Sequence, residues 1–198
     1  MNCVIEPYLQ NVKTQNPALT DDNLAFFAQG LSVSVLSPRE FYIKAGEAQT
    51  QMGYVTHGLL RTFYTNEQGD DITVSFMQEQ MVAAYYTSLE SPQPSRYNIQ
   101  ALEKTTIINH SYEHLQACMH QIPAFERYGR LVIEEVLQRI YRRMEGFLFD
   151  DAEVRYRNFL KENPTLIHRV SVSHLCSYLG ISRQALTRIR KKIIQPSA

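Results

Sequence analysis

SVSHLCSYLGISRQALTRIRKKI, residues 171–193, is the stretch on which the reading of this chain turns. Apolar residues fall at Val172, Leu175, Cys176 and Leu179, then at Ile181, Leu186, Ile189 and Ile193. Steps of three and four residues mark one face of a helix. Gly180 lies between the two runs, where a chain leaving a helix needs a residue that accepts positive φ. Ser182 follows, placed to cap a second helix. Cys176 is small enough for the two helices to approach closely. The pattern predicts two short helices joined by a tight turn, with the second helix at residues 182–192.

The second helix turns its polar residues outward. Arg183, Thr187 and Lys191 form one stripe, with Gln184 and Arg188 beside it. Arg and Gln can pair bidentately with guanine and adenine edges, and Lys and Arg neutralise phosphates. The candidate DNA contacts are Ser171, Ser182, Arg183, Gln184, Thr187, Arg188, Arg190 and Lys191. Arg190, Lys191 and Lys192 suit phosphates better than bases. The competing reading is a helical hairpin with a solvated basic face.

Charge distribution supports nucleic acid as the partner. The formal net charge is zero. Residues 1–150, however, hold 11 Lys and Arg against 17 Asp and Glu, and residues 151–198 hold 9 against 3. An acidic body therefore carries a basic end, where the electrostatics of DNA binding would place it. The three cysteines, Cys3, Cys118 and Cys176, are far apart and show neither metal-ligand spacing nor a disulfide framework, as expected in a reducing cytoplasm. The N-terminus lacks the basic start and apolar core of a signal peptide. No apolar run is long enough to span a membrane.

Upstream, residues 1–30 read as helical and end at Gly30. From Ser32 to His110 the character changes to short segments rich in β-branched and aromatic residues: LSVSVLSP, FYIKAGE, MGYVTHG, LLRTFYT, DITVSFM, YNIQALE and TTIINH. Turn signals at Pro38, Gly46, Gly58 and residues 66–70 separate them. Many short strands at this spacing predict a sandwich or barrel. Ser111 to Gln121 is a short helix, and Pro123 opens a long one to residue 149. One apolar stripe of that helix runs through residues 125, 132, 136, 140, 144 and 147; a second uses Leu131, Ile133, Leu137, Tyr141 and Leu148. A helix apolar on more than one side must be covered twice. The expected covers are the chain's own β domain and the same helix of a second chain. Asp150-Asp151 marks a break, after which DAEVRYRNFLKENP forms another helix.

This order resembles the cyclic-AMP receptor/FNR (CRP/FNR) family of bacterial transcription regulators. The resemblance is sharpest at GISRQALTRIRKKI and in the AGE…YVTHGLLR…G pattern of residues 45–69. FLKENP and SYLGISRQALTRIRKK resemble a Bacteroidetes-type branch. The resemblance implies an α+β chain: a cyclic-nucleotide-binding-like β-roll (a double-stranded β-helix or jelly roll) over 1–122, a dimerisation helix over 123–149, and a helix-turn-helix domain over 150–198, which is expected to depart from the family in lacking a full wing. It implies double-stranded DNA and a homodimer through the 123–149 helix as partners, with RNA polymerase a further candidate. By its motif, Arg183 and Arg188 should reach guanines. Gln184 stands where the family has Glu, which should move the preference from cytosine toward adenine.

Family members that bind cyclic AMP hold the ribose with a Gly-Glu-Leu segment and the phosphate with an Arg-Ser pair. Here residues 77–103 read MQEQMVAAYYTSLESPQPSRYNIQALE. Glu79 stands near the Glu position without the Gly, and Ser95 falls where Arg should be, with Arg96 one place later. In a strand that shift turns the side chain to the other face. Glu79, Tyr85, Tyr86, Ser95 and Arg96 are the candidate ligand residues, and the departures speak against cyclic AMP as effector. No metal or other cofactor is implied. No nucleophile, base and orienter come together, nor does a phosphate loop, so an enzyme is not expected. The functional expectation is a dimeric DNA-binding regulator. Its rival is a ligand-binding or protein-interaction module whose helix-turn-helix does not read specific DNA.

Overall fold

The structure, a computed structural model, describes residues 2–85 and 93–194. Tyr86 and the residues after Ile194, where a full wing was not expected, lie outside the described residues.

Two helices open the chain, α1 (Asn2–Gln15) and α2 (Asp21–Ala28). The expected single helical region is split because Pro17 breaks the chain and Thr20 starts a new helix. The Thr20 side chain accepts from the Asn23 amide and Asn23 reciprocates, a capping box. Eight strands follow: β1 (Leu31–Leu36), β2 (Phe41–Ile43), β3 (Gln51–His57), β4 (Leu60–Thr65), β5 (Asp71–Met77), β6 (Val82–Ala83), β7 (Asn98–Ala101) and β8 (Thr105–Ser111). They form two four-stranded sheets in the orders β1-β8-β3-β6 and β2-β7-β4-β5. The chain ends in α3 (Tyr112–Gln121), α4 (Pro123–Phe149), α5 (Ala152–Glu162), a 3₁₀ turn (Leu166–His168), α6 (Val172–Leu179) and α7 (Arg183–Ile194). The architecture is α+β, with a two-sheet β-roll, as the sequence implied.

The chain divides into two compact units, residues 1–62 with 76–135, and residues 63–75 with 136–198. In the first, the period of two along β8 fixes the layering. Ile107 joins Ile43, Val55, Leu60, Met77, Ala83, Ile99 and Ala101 in one buried apolar cluster. Ile108 turns the other way and packs with Tyr8, Val12, Leu24, Phe27, Leu115 and Phe125 from the helices. His110 shares that outer face, its ring 5.4 Å from Tyr8 and 5.6 Å from Phe27. Burial among these rings pushes its pKa down to about 4.

The second unit contains the β4–β5 hairpin tip, the distal part of α4, and α5 to α7. Asp151 caps α5 by accepting from the Val154 amide at 2.9 Å. Tyr156, Phe159, Leu166, Leu175, Cys176, Leu179, Leu186 and Ile189 are its buried core. Each fully buried aliphatic or aromatic side chain contributes about 1.5–3 kcal/mol.

Candidate nucleic-acid interface

The two helices α6 and α7 and the turn between them are built as their residues dictate. Ser171 caps α6, accepting from the His174 amide at 3.1 Å. Gly180 takes the left-handed conformation, φ 66° and ψ 39°. The Ile181 amide returns to the Cys176 carbonyl at 3.1 Å, closing the helix end in a Schellman motif. Ser182 then accepts from the Ala185 amide at 3.1 Å, and α7 begins. Leu186 and Ile189 of α7 are buried, as are Leu175, Cys176 and Leu179 of α6. Burial pushes the Cys176 thiol pKa up.

Arg183, Gln184, Thr187, Arg188 and Lys191 are all exposed, and they share the outer side of α7. Ser171 and Ser182 are exposed as well, but their hydroxyl oxygens serve as caps. Arg190 is half-buried, and its Nε donates to the Tyr156 hydroxyl of α5 at 3.1 Å. Lys192 reaches the Glu153 carboxylate of α5 at 2.7 Å.

Two arginines that sequence reading passed over hold this domain to α4. Arg143 donates to the Tyr178 carbonyl at 2.9 Å and lies 4.0 Å from the Tyr178 ring centroid. Arg155 donates to the Leu179 carbonyl at 3.1 Å and to the Asp150 carbonyl at 2.7 Å. Their guanidinium groups flank Phe147, at 4.9 and 5.1 Å from its centroid. The hairpin tip joins in. Ser177 of α6 accepts from the Thr73 amide at 2.8 Å and donates to the Asp71 carbonyl at 3.0 Å, while Arg143 donates to the Thr73 carbonyl at 3.3 Å. β5 is an edge strand, and these side chains cover backbone groups that a strand would otherwise pair. Such contacts join residues 24 to 106 positions apart, so no local pattern announces them.

Four of the five expected ligand residues, Glu79, Tyr85, Ser95 and Arg96, lie within the described residues. Glu79 accepts from the Gly58 amide at 2.8 Å, where Gly58 has φ 97°. Ser95 is buried, and its hydroxyl donates to the Tyr97 carbonyl at 2.7 Å. Arg96 is exposed. Tyr85 meets Tyr97 edge-on, centroids 5.7 Å apart. Another arginine, Arg61, is buried in β4. Its neighbour Leu60 belongs to the core between the sheets, and Thr62 contacts Met77 of that core. The alternation of a strand sets Arg61 on the opposite face.

Residues 33–121 match the family model of the cyclic nucleotide-binding domain. No curated protein matches the chain in sequence. Among solved structures, the chain is similar to FixK2 from Bradyrhizobium japonicum, with 15% identity, coverage of 82% of this chain and 84% of that one, and a TM-score of 0.73. It is similar to the c-di-GMP responsive global regulator CLP of Xanthomonas campestris, with 17% identity over 88% and 91% of the two chains and a TM-score of 0.67. Thermus thermophilus catabolite activator protein matches with 15% identity over 89% and 84%, TM-score 0.54. The fold is therefore the one seen in structures of CRP/FNR regulators, and the match to the cyclic nucleotide-binding domain falls on the β-roll and the helix that follows it. Among the described residues no helix is long and apolar enough to cross a membrane.

Proposed function

We propose that this chain is a sequence-specific transcription regulator of the CRP/FNR type, of the Bacteroidetes-type branch. It binds double-stranded DNA as a homodimer and needs no cyclic AMP. The observation that carries the reading is the capped helix α7, with Arg183, Gln184, Thr187, Arg188 and Lys191 exposed along it behind a left-handed Gly180 turn. Two such helices about 34 Å apart would enter successive major grooves of a near-palindromic site. α4 supports the dimer. Phe125 is its only buried residue among those described, while Ile133, Leu137, Ile140, Tyr141, Met144 and Leu148 are exposed. An apolar row of this length, repeating every three or four residues, is the seam of a helix pair. RNA polymerase would be a further partner of such a regulator.

The test is selection of binding sites from random duplex DNA with no nucleotide added. The expected result is an inverted repeat, with guanines facing Arg183 and Arg188 and adenine facing Gln184. Arg188→Ala should then cost about 1–3 kcal/mol and relax one base pair in each half-site. Failure to enrich any site, with weak salt-sensitive binding to all duplexes, would overturn it in favour of an interaction module that does not read DNA.

A further inference from the structure

Residues Gln184, Arg188 and Lys192 follow one another at four-residue steps, so they lie along one ridge of α7. Lys192 thus sits one turn beyond a residue proposed to read a base, at the place where the wall of a groove presents phosphates. It is not left to that task. Its Nζ lies 2.7 Å from Oε2 of Glu153. The other oxygen, Oε1, accepts from Arg157, at 3.1 Å from Nε and 2.9 Å from Nη2. Glu153 stands in the first turn of α5, where the helix dipole favours a carboxylate. The Lys192 hydrogen bond, then that of Arg157, holds the carboxyl below the usual carboxylate range. One carboxylate therefore occupies two cations on the basic end of the chain.

We propose that Glu153 is a built-in competitor for DNA phosphate: by pairing with Lys192 and Arg157 it withdraws both cations from the duplex and sets the sequence-independent part of the affinity. The proposal rests on the DNA-reading function argued above. Phosphate contacts supply nearly all non-specific binding and carry no sequence information. An exposed ion pair stabilises the fold by little, so what this one changes is the number of phosphates met. The arrangement leaves Arg183, Gln184 and Arg188 to read bases while limiting indiscriminate attachment.

The experiment compares the full-length wild type with Glu153→Gln, Lys192→Gln and the double variant, titrated against a random-sequence duplex at several salt concentrations. Glu153→Gln is expected to bind roughly three- to tenfold tighter, as two ion pairs per protomer are released. The slope of log affinity against log salt should steepen by roughly one for each phosphate newly met. Lys192→Gln alone should leave the wild-type slope nearly unchanged, and the double variant should lose part of the steepening. Arg157→Gln on the Glu153→Gln background should remove the rest, and melting of each variant checks its fold. An unchanged or shallower slope in Glu153→Gln would overturn the proposal. So would a shallower slope in Lys192→Gln alone, because Lys192 would then meet phosphate in the wild type. Absence of wild-type binding to any duplex at low salt is a different failure, that of the DNA-reading function itself.

Discussion

Replacing Gly180 by Ala tests the turn on which the basic helix depends. Gly180 sits at φ 66° and ψ 39°, a conformation that costs an ordinary L-residue about 1–2 kcal/mol. A Cβ there would lie 2.9 Å from Cε1 and 3.6 Å from Cζ of Phe147. That ring cannot move without disturbing Arg143 and Arg155, which flank it at 4.9 and 5.1 Å. Ala also stiffens the unfolded chain, which offsets about 0.4–1 kcal/mol. The net expectation is a loss of about 1–3 kcal/mol. Denaturant unfolding should show a lower midpoint at unchanged slope, and the melting temperature should fall by about 2–4 °C per kcal/mol lost. Gly180→Asn separates the two terms. Asn brings the same Cβ but tolerates the left-handed region, so it should cost visibly less than Ala. Equal costs for Ala and Asn would refute backbone strain as the source. No loss with Ala would refute the whole account of the turn.

Two further expectations concern the units separately. His110, buried and pushed down to about 4 from 6.5, binds its proton in the unfolded chain before the folded one. Stability should therefore be full above pH 6.5 and fall by roughly 3 kcal/mol as pH drops toward 4. His110→Phe should flatten that part of the profile, and an undiminished slope would show that other groups carry it. Ser177→Ala removes the hydroxyl that bonds the Thr73 amide and the Asp71 carbonyl; the amide of the buried Thr73 loses its partner, a loss of about 1–3 kcal/mol. Exchange of the Thr73 amide hydrogen should quicken tenfold or more, and an unchanged rate would show that the contact does not protect it.

Much of this was legible because it is local. The two helices α6 and α7 and their turn follow from Gly180, two serine caps and an apolar spacing, all within residues 171–193. α4 was legible from its periodicity, and the seven expected strands follow from β-branched runs cut by Pro38, Gly46, Gly58 and the 66–70 turn. β6, at two residues, is too short for any period to show. The split between α1 and α2 could have been read from Pro17 and the Thr20–Asn23 pair. The rest was hidden by distance along the chain. Nothing near Arg143, Arg155 or Ser177 says that they face carbonyls and amides 24 to 106 residues away. Arg190 and Lys192 look identical to Lys191 in sequence. Only the placement of Tyr156 and Glu153 on α5 distinguishes them.

The break at residues 149–151, marked in sequence by Asp150-Asp151, is a fastened corner in the structure. The Asp150 amide still donates to the Gly146 carbonyl at 3.3 Å, continuing the last turn of α4. The Asp150 carbonyl accepts from Arg155 at 2.7 Å, its carboxylate accepts from Asn158 at 3.1 Å, and Asp151 caps α5. Arg143 and Arg155 then tie α4 and α5 to the carbonyls that end α6. Bending here would break several hydrogen bonds at once, each worth about 0.5–1.5 kcal/mol and more where the donor is charged. In the proposed dimer, the distal part of α4, α5 and the helix-turn-helix therefore move as one body. A change in spacing between the two α7 helices then has to arise along α4, where Leu137, Ile140, Tyr141 and Met144 are exposed and would pack against their own copies. An effector acting on this chain would work by shifting how the two α4 helices register, and not by loosening the corner that follows them.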